Sequence, residues 1–415
     1  MNKIIFFYPI CIIAVSLLVS LKLPEDCIVR QSEIKSYNAD PLLDGDLQEI
    51  RISSSFSGSV KASDIFTLEG FTALNATENN PLRSVRKTVF LDGKIVVLDN
   101  RTDFKNIYVF DEKTGIFLNK IGFQSESEGG YHELYDIVPE PETGNIICLV
   151  AGKMAFMTYR LSGDPVATLP NGMYGQQMAV LPDGGYVVYN EFGATDISGM
   201  FHLVFYDKKG NLVKRLSPYP AASDGWGYEY TGFLNSGKDQ IWFNPPFSDT
   251  VFAVTKNNFL PAFILDFKGK EVPVEIRKKK LTGWDTDNHS FLCEGFATTG
   301  QYAVFHIFDE HKTALGIFDS ASGNFYNARD FNENDWLYSL IQVGDVFQKS
   351  ESTFALVLEP RRIRYMLRNN KIKLEELSQK HPDLARALTD KDAENKYMLL
   401  YFSTSGTVEA KTQRL

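Results

Sequence analysis

Polarity along the chain alternates with a short beat: an apolar or aromatic stretch, a polar turn, then another apolar stretch. One form of this phrase recurs. It reads Tyr108-Val109-Phe110-Asp111-Glu112-Lys113-Thr114-Gly115-Ile116-Phe117-Leu118. It returns as Val204-Phe205-Tyr206-Asp207-Lys208-Lys209-Gly210-Asn211-Leu212-Val213 and as Ile317-Phe318-Asp319-Ser320-Ala321-Ser322-Gly323-Asn324-Phe325. Looser copies run from Tyr159 to Val166 and from Tyr401 to Val408, and a degenerate one from Val254 to Leu260. Asp or Ser starts the turn, and Gly or Asn supplies the positive φ that other residues resist, so each copy predicts a tight β-hairpin.

Anchored on Phe110, Tyr159, Tyr206, Val254, Phe318 and Phe402, the copies are spaced by about 49, 47, 48, 64 and 84 residues, near the period of propeller blades. Inserts of roughly 268–290 and 361–395 account for the two long gaps. A second strand precedes each copy: Lys94–Asp99, Asn145–Val150, Gly185–Tyr189, Gln240–Asn244, Gln301–Phe305 and Thr353–Leu358. A third lies further upstream, as in Tyr135-Asp136-Ile137-Val138 and Gln177-Met178-Ala179-Val180-Leu181. Four hairpin-joined strands per unit make a propeller blade. The apolar runs are continuous because blade sheets are packed on both faces. The gaps are too short and turn-rich for the helices of a parallel α/β fold.

The fold expected is therefore all-β, a six-bladed β-propeller with four-stranded blades and a small helical insertion in the last blade. Leu374, Leu377, Leu384 and Leu388 give one apolar helix face over 372–388, inside that insertion. Joining first and last blades needs a strand from the N-terminal side. Leu47–Ile52 and Ser63–Leu68 are both candidates, and the pattern does not choose between them. The domain layout read from this is 1–22 as signal peptide or N-terminal anchor, 23–45 as linker and 46–415 as propeller.

Composition agrees with a large core: 415 residues, 44% apolar and 13% aromatic. A net charge of −9 argues against nucleic-acid binding, which needs clustered basic residues; the run Arg277-Lys278-Lys279-Lys280 reads as a solvated loop. Lys3, the apolar run Ile4–Leu21 and the polar exit Pro24-Glu25-Asp26 predict export. The run is near the minimum for a bilayer span, so a cleaved signal and a membrane tether both stay open. Cys27 lacks the Leu-x-small context of a lipidated cysteine. Cys148 lies in the run Ile146–Val150 and reads as a buried thiol, and no disulfide or zinc spacing is present.

The stretch Ile107 to Gly122, followed by Gly129-Gly130-Tyr131-His132-Glu133-Leu134, resembles the secreted six-bladed β-propeller proteins abundant in Bacteroidota, relatives of NHL-repeat propellers. The resemblance covers about Ile65 to Phe402. Where that family has a Gly-x-Gly-Pro-Gly-Glu-Tyr pattern, this chain has Gly122-Phe123-Gln124-Ser125-Glu126-Ser127-Glu128-Gly129-Gly130-Tyr131. The resemblance implies the fold and an extracytoplasmic compartment.

Ligands of propellers meet the entry loops of the innermost strands. Those positions give Arg83 and Arg86 in the first blade, Tyr131, His132 and Glu133 in the second, and Tyr174, Gln176 and Gln177 in the third. The fourth gives Tyr228, Glu229 and Tyr230, the fifth His289 and Glu294, and the sixth Trp336 and Tyr338. Aromatic rings interleaved with carboxylates and amides suit recognition of a glycan or peptide. The expected function is a binding or scaffold module without catalytic motif or cofactor, its partner an extracytoplasmic glycan, peptide or envelope protein. The rival is a metal-dependent propeller hydrolase or lyase, with Glu133, Glu229 and Glu294 holding calcium. His132, His202, His289, His306, His311 and His381 show no metal-ligand spacing.

Overall fold

Six antiparallel sheets follow one another around a ring, each touching the next through its innermost strand. The structure, a computed structural model, describes residues 48–51, 60–101, 104–125, 127, 129–140, 142–225, 232–236, 240–277, 279, 286, 288–299, 301–309, 312–327, 331–341, 345–390 and 395–404. In chain order the first two strands are β1 (Gln48–Arg51) and β2 (Phe66–Ala73). Blade 1 is β3 (Val85–Leu91), β4 (Lys94–Arg101), β5 (Phe104–Asp111) and β6 (Phe117–Ile121), and blade 2 is β7 (Leu134–Glu140), β8 (Asn145–Val150), β9 (Ala155–Arg160) and β10 (Pro165–Pro170). Blade 3 is β11 (Gln177–Val180), β12 (Tyr186–Tyr189), β13 (Phe201–Tyr206) and β14 (Leu212–Pro218). Blade 4 is β15 (Phe233–Ser236), β16 (Ile241–Asn244), β17 (Thr250–Val254) and β18 (Phe259–Asp266). Blade 5 is β19 (Phe291–Thr299), β20 (Tyr302–Asp309), β21 (Lys312–Asp319) and β22 (Asn324–Asn327). Blade 6 is β23 (Asp345–Gln348), β24 (Thr353–Leu358) and β25 (Met398–Thr404), completed by β2.

The recurrent Asp–Gly phrase forms the hairpin between the third and fourth strands. In blade 1 the Asp111 carboxylate accepts bonds from the backbone N–H and hydroxyl of Thr114, at 2.8 and 2.7 Å. Gly115 then turns through φ +68°. Asp207 repeats this, accepting from the N–H groups of Lys209 and Asn211. Asp319 does the same with Ala321 N–H and the Ser322 hydroxyl. These hydrogen bonds hold all three carboxyls below the usual aspartate range.

Strand periodicity sends alternate side chains to opposite neighbours. Val96 and Leu98 of β4 face blade 2, whereas Ile95 and Val97 face blade 6. In β8, Ile146, Cys148 and Val150 face blade 1, while Ile147 and Leu149 face blade 3. Neither face meets water, which is why these strands carry unbroken apolar runs. Each fully buried Val, Leu or Ile contributes roughly 1.5–3 kcal/mol.

The two N-terminal candidates divide the work. β2 pairs antiparallel with β25 and seals the ring. Phe66 packs edge-on to Phe354 with centroids 5.2 Å apart, and Tyr401 donates its hydroxyl to Thr72 Oγ1 at 2.9 Å. β1 instead pairs parallel with β18 as a fifth strand of blade 4, burying Ile50. The sixth copy of the hairpin phrase thus has β2 as its partner, and Thr407-Val408 lies outside the described residues. Among its described residues the insertion forms three helices, Pro360–Arg368, Leu374–Lys380 and Pro382–Thr389. The single helix expected over 372–388 breaks at His381-Pro382, because proline has no N–H to donate to the preceding turn and starts a new helix instead.

Candidate functional site

The six innermost strands surround a central channel holding a cavity of about 1350 Å³. Side chains reaching from one strand to the next brace its wall. Lys87 of blade 1 donates to both Asp136 oxygens of blade 2, at 2.8 and 2.9 Å, and Asp136 also accepts from Met178 N–H of blade 3 at 2.7 Å. Gln177 Oε1 accepts from Leu234 N–H of blade 4, at 2.5 Å. Asn235 Nδ2 donates to the Phe296 carbonyl of blade 5 at 2.6 Å. Gln348 of blade 6 both donates to Thr298 O (2.7 Å) and accepts from Thr298 N–H (2.8 Å). These groups are already partnered across the blade joints. The channel wall is thus held together by its own polar groups, and the side chains not used in this way lie toward its ends.

One end is built from the entries to the innermost strands and the turns between second and third strands. Arg86, Asn100, Tyr135, Gln176 and Arg362 line it. Lys105 Nζ sits 4.2 Å from the Tyr135 ring centroid. Burial lowers the Lys105 pKa, and the nearby Glu133 carboxylate counters part of this. Burial raises the Tyr135 phenol, helped by Glu133 and then Tyr174. Lys105 and Tyr135 are thus in contact, and the charge of Glu133 is felt by both. Tyr174 is 48% exposed. The arrangement offers an open aromatic face, the cations Lys105, Arg86 and Arg362, the Glu133 carboxylate and the amides of Asn100 and Gln176, which can stack on and hydrogen-bond a polar ligand.

Not every expected residue reaches this end. Tyr131 is fully buried between blades 1 and 2, edge-on to Tyr159, because the chain turns at Gly122 and its ring fills the space beside that glycine. Trp336 is also buried, 4.6 Å from the His381 ring in the core of the helical insertion, with Tyr338 packed against that core. His289 is half-buried beside the Lys270 carbonyl and does not line the channel. The His132 carbonyl accepts from Gly152 N–H and that of exposed Glu133 from Ala151 N–H, which holds their loop. Glu133 takes φ +52° there. Exposed Arg83 stands at the entry to blade 1, where its N–H is held by Asp99 and its carbonyl by the Tyr397 hydroxyl. Gln177 lines the channel as a brace. Tyr228, Glu229 and Tyr230 lie outside the described residues, as does the Glu294 side chain. Among the described residues, no group of three His, Cys, Asp or Glu is placed to hold a metal ion.

Sequence reasoning missed Lys105, Asn100 and Tyr135. Tyr135 stood within a recognised strand, and its orientation toward the channel follows only from the register of Asp136 with Leu149. Cys148 is buried, and burial raises its thiol pKa.

Six four-stranded antiparallel blades around an open channel, sealed by an N-terminal strand, define a six-bladed β-propeller. Within that class the chain belongs to the family described as a domain of unknown function, DUF4934, whose profile matches residues 47–401. A candidate exported protein of Bacteroides fragilis shares the fold at a TM-score of 0.69 and 17% identity, over 87% of this chain and 100% of that one. A DUF4221 family member from Bacteroides vulgatus aligns at a TM-score of 0.52 and 10% identity, over 82% of this chain and 98% of that one. No curated protein sequence matches the chain significantly.

Proposed function

We propose that the protein is an extracytoplasmic binding propeller that captures a glycan or peptide at the end of its channel. The observation that carries the reading is the group formed by exposed Tyr174, Tyr135 under the Lys105 ammonium, Glu133 and Gln176. Such interleaving of rings, amides and charges suits stacking plus hydrogen bonding to a polar, extended ligand. Lys3 with the apolar run Ile4–Leu21 supports export, and the fold recurs in the candidate exported Bacteroides fragilis protein.

Glycan- and peptide-array binding by the protein tests this. A ligand is expected, and Tyr174→Ala and Gln176→Ala should each weaken it at least tenfold without lowering the melting temperature. Unchanged binding in both variants overturns the reading.

A further inference from the structure

Residues 360–373 carry Arg361, Arg362, Arg364, Arg368, Lys371 and Lys373 and no acidic residue, in a chain of net charge −9. The helix Pro360–Arg368 turns Ile363 and Met366 into the core. Arg361, Tyr365 and Arg368 fall at i, i+4 and i+7 and share its outer face. All three are exposed, Tyr365 by 61%. Arg362 leans toward Asp345 and Glu359, at 3.8 and 3.9 Å. Among the described residues, no carboxylate forms an ion pair with Arg361, Arg368, Lys371 or Lys373.

The helix that carries this stripe starts at the channel. Glu359 and Arg362 line the cavity. Where the chain returns from this insertion, the Tyr397 hydroxyl donates to the Arg83 carbonyl at the entry to blade 1, at 2.7 Å. From Arg361 to Arg368 the stripe runs about 10 Å along the helix. It places one exposed aromatic ring between two guanidinium groups, the donors best suited to carboxylates.

We infer that the ligand is an acidic polysaccharide, one end held at the channel and the chain continuing along this stripe. Its carboxylates meet Arg361 and Arg368, and a sugar face stacks on Tyr365. The inference rests on the binding function proposed above. Charge selects the ligand class, and the rings fix its orientation.

The test is calorimetric titration of the full chain with polygalacturonate, and with dextran as a neutral polymer, at low and high salt. Polygalacturonate should bind, and more weakly as salt rises. Arg361→Gln combined with Arg368→Gln should weaken it at least tenfold and flatten the salt dependence, with an unchanged melting temperature. Tyr174→Ala should weaken it separately. No binding of polygalacturonate, equal binding of dextran, or wild-type affinity in the double variant overturns the proposal. Loss in Tyr174→Ala with the double variant unaffected overturns the stripe alone. Loss in the double variant with Tyr174→Ala unaffected overturns the channel-end reading and the continuity built on it.

Discussion

Lys87 and Asp136 join the innermost strands of blades 1 and 2 through an ion pair 2.8 Å long, with the Asp136 side chain 3% exposed. The same carboxylate caps Met178 N–H of blade 3, so one residue ties three blades. Removing it leaves a sheltered ammonium and a buried N–H without partners. Asp136→Ala should cost about 3 kcal/mol in urea denaturation. Lys87→Met, which keeps the stem packed, should also destabilise, because it strands the buried carboxylate. Wild-type stability in both variants would show the bridge to be dispensable.

His202 gives the fold a pH dependence. Its ring lies among Phe192, Tyr219, Tyr189 and Phe243, and its Nδ1 donates to the Glu191 carbonyl at 2.6 Å. Burial pushes its pKa from 6.5 down to about 4. The unfolded chain therefore takes up a proton below pH 6.5 that the native ring refuses. Stability present above 6.5 is lost as the pH falls toward 4, by up to about 3 kcal/mol. His202→Phe should remove that slope from a pH series of denaturation curves. A variant as steep as wild type would assign the slope to other groups.

The sealing strand should be costly to weaken. Phe66 is 2% exposed and packs against Phe354 and Phe402. Phe66→Ala should lower stability by roughly 3–5 kcal/mol and speed limited proteolysis near both ends of the ring together. Cleavage near one end alone would contradict closure by this strand.

Two glycines in equivalent turns should respond differently. A Cβ on Gly115 would lie 1.9 Å from the Ala73 carbonyl of β2, whereas one on Gly323 meets nothing within 4 Å. Both have positive φ, +68° and +71°. Gly323→Ala should cost only the backbone term, roughly 1–2 kcal/mol. Gly115→Ala should cost clearly more in thermal melts, because the blade 1 turn rests on the closing strand.

These contrasts show what was legible in the chain. The hairpins were, because Asp111, Asp207 and Asp319 each close a turn through atoms only a few residues away. The blade count followed from their repetition. The choice of closing strand was not legible, since pairing of β2 with β25 depends on two segments at opposite ends of the fold. Parallel addition of β1 to blade 4 leaves no turn signature either. At the channel end, Tyr174 and Gln176 could be found from their place before a strand. Tyr131 and Trp336 occupy similar places, yet neighbouring packing turns their rings inward. Lys105 escaped because its role comes from a ring on the next blade.

The seam of the ring has a consequence for how the protein is made. Thr72 meets its partner Tyr401 across 329 residues of chain. The strand that seals the ring precedes all six blades in the chain and must wait, uncovered, for the third strand of the last one. Until then five blades stand with an apolar flank unfilled at each end of the arc. A chain cut short before Met398 would therefore keep a sticky edge rather than form a smaller finished protein.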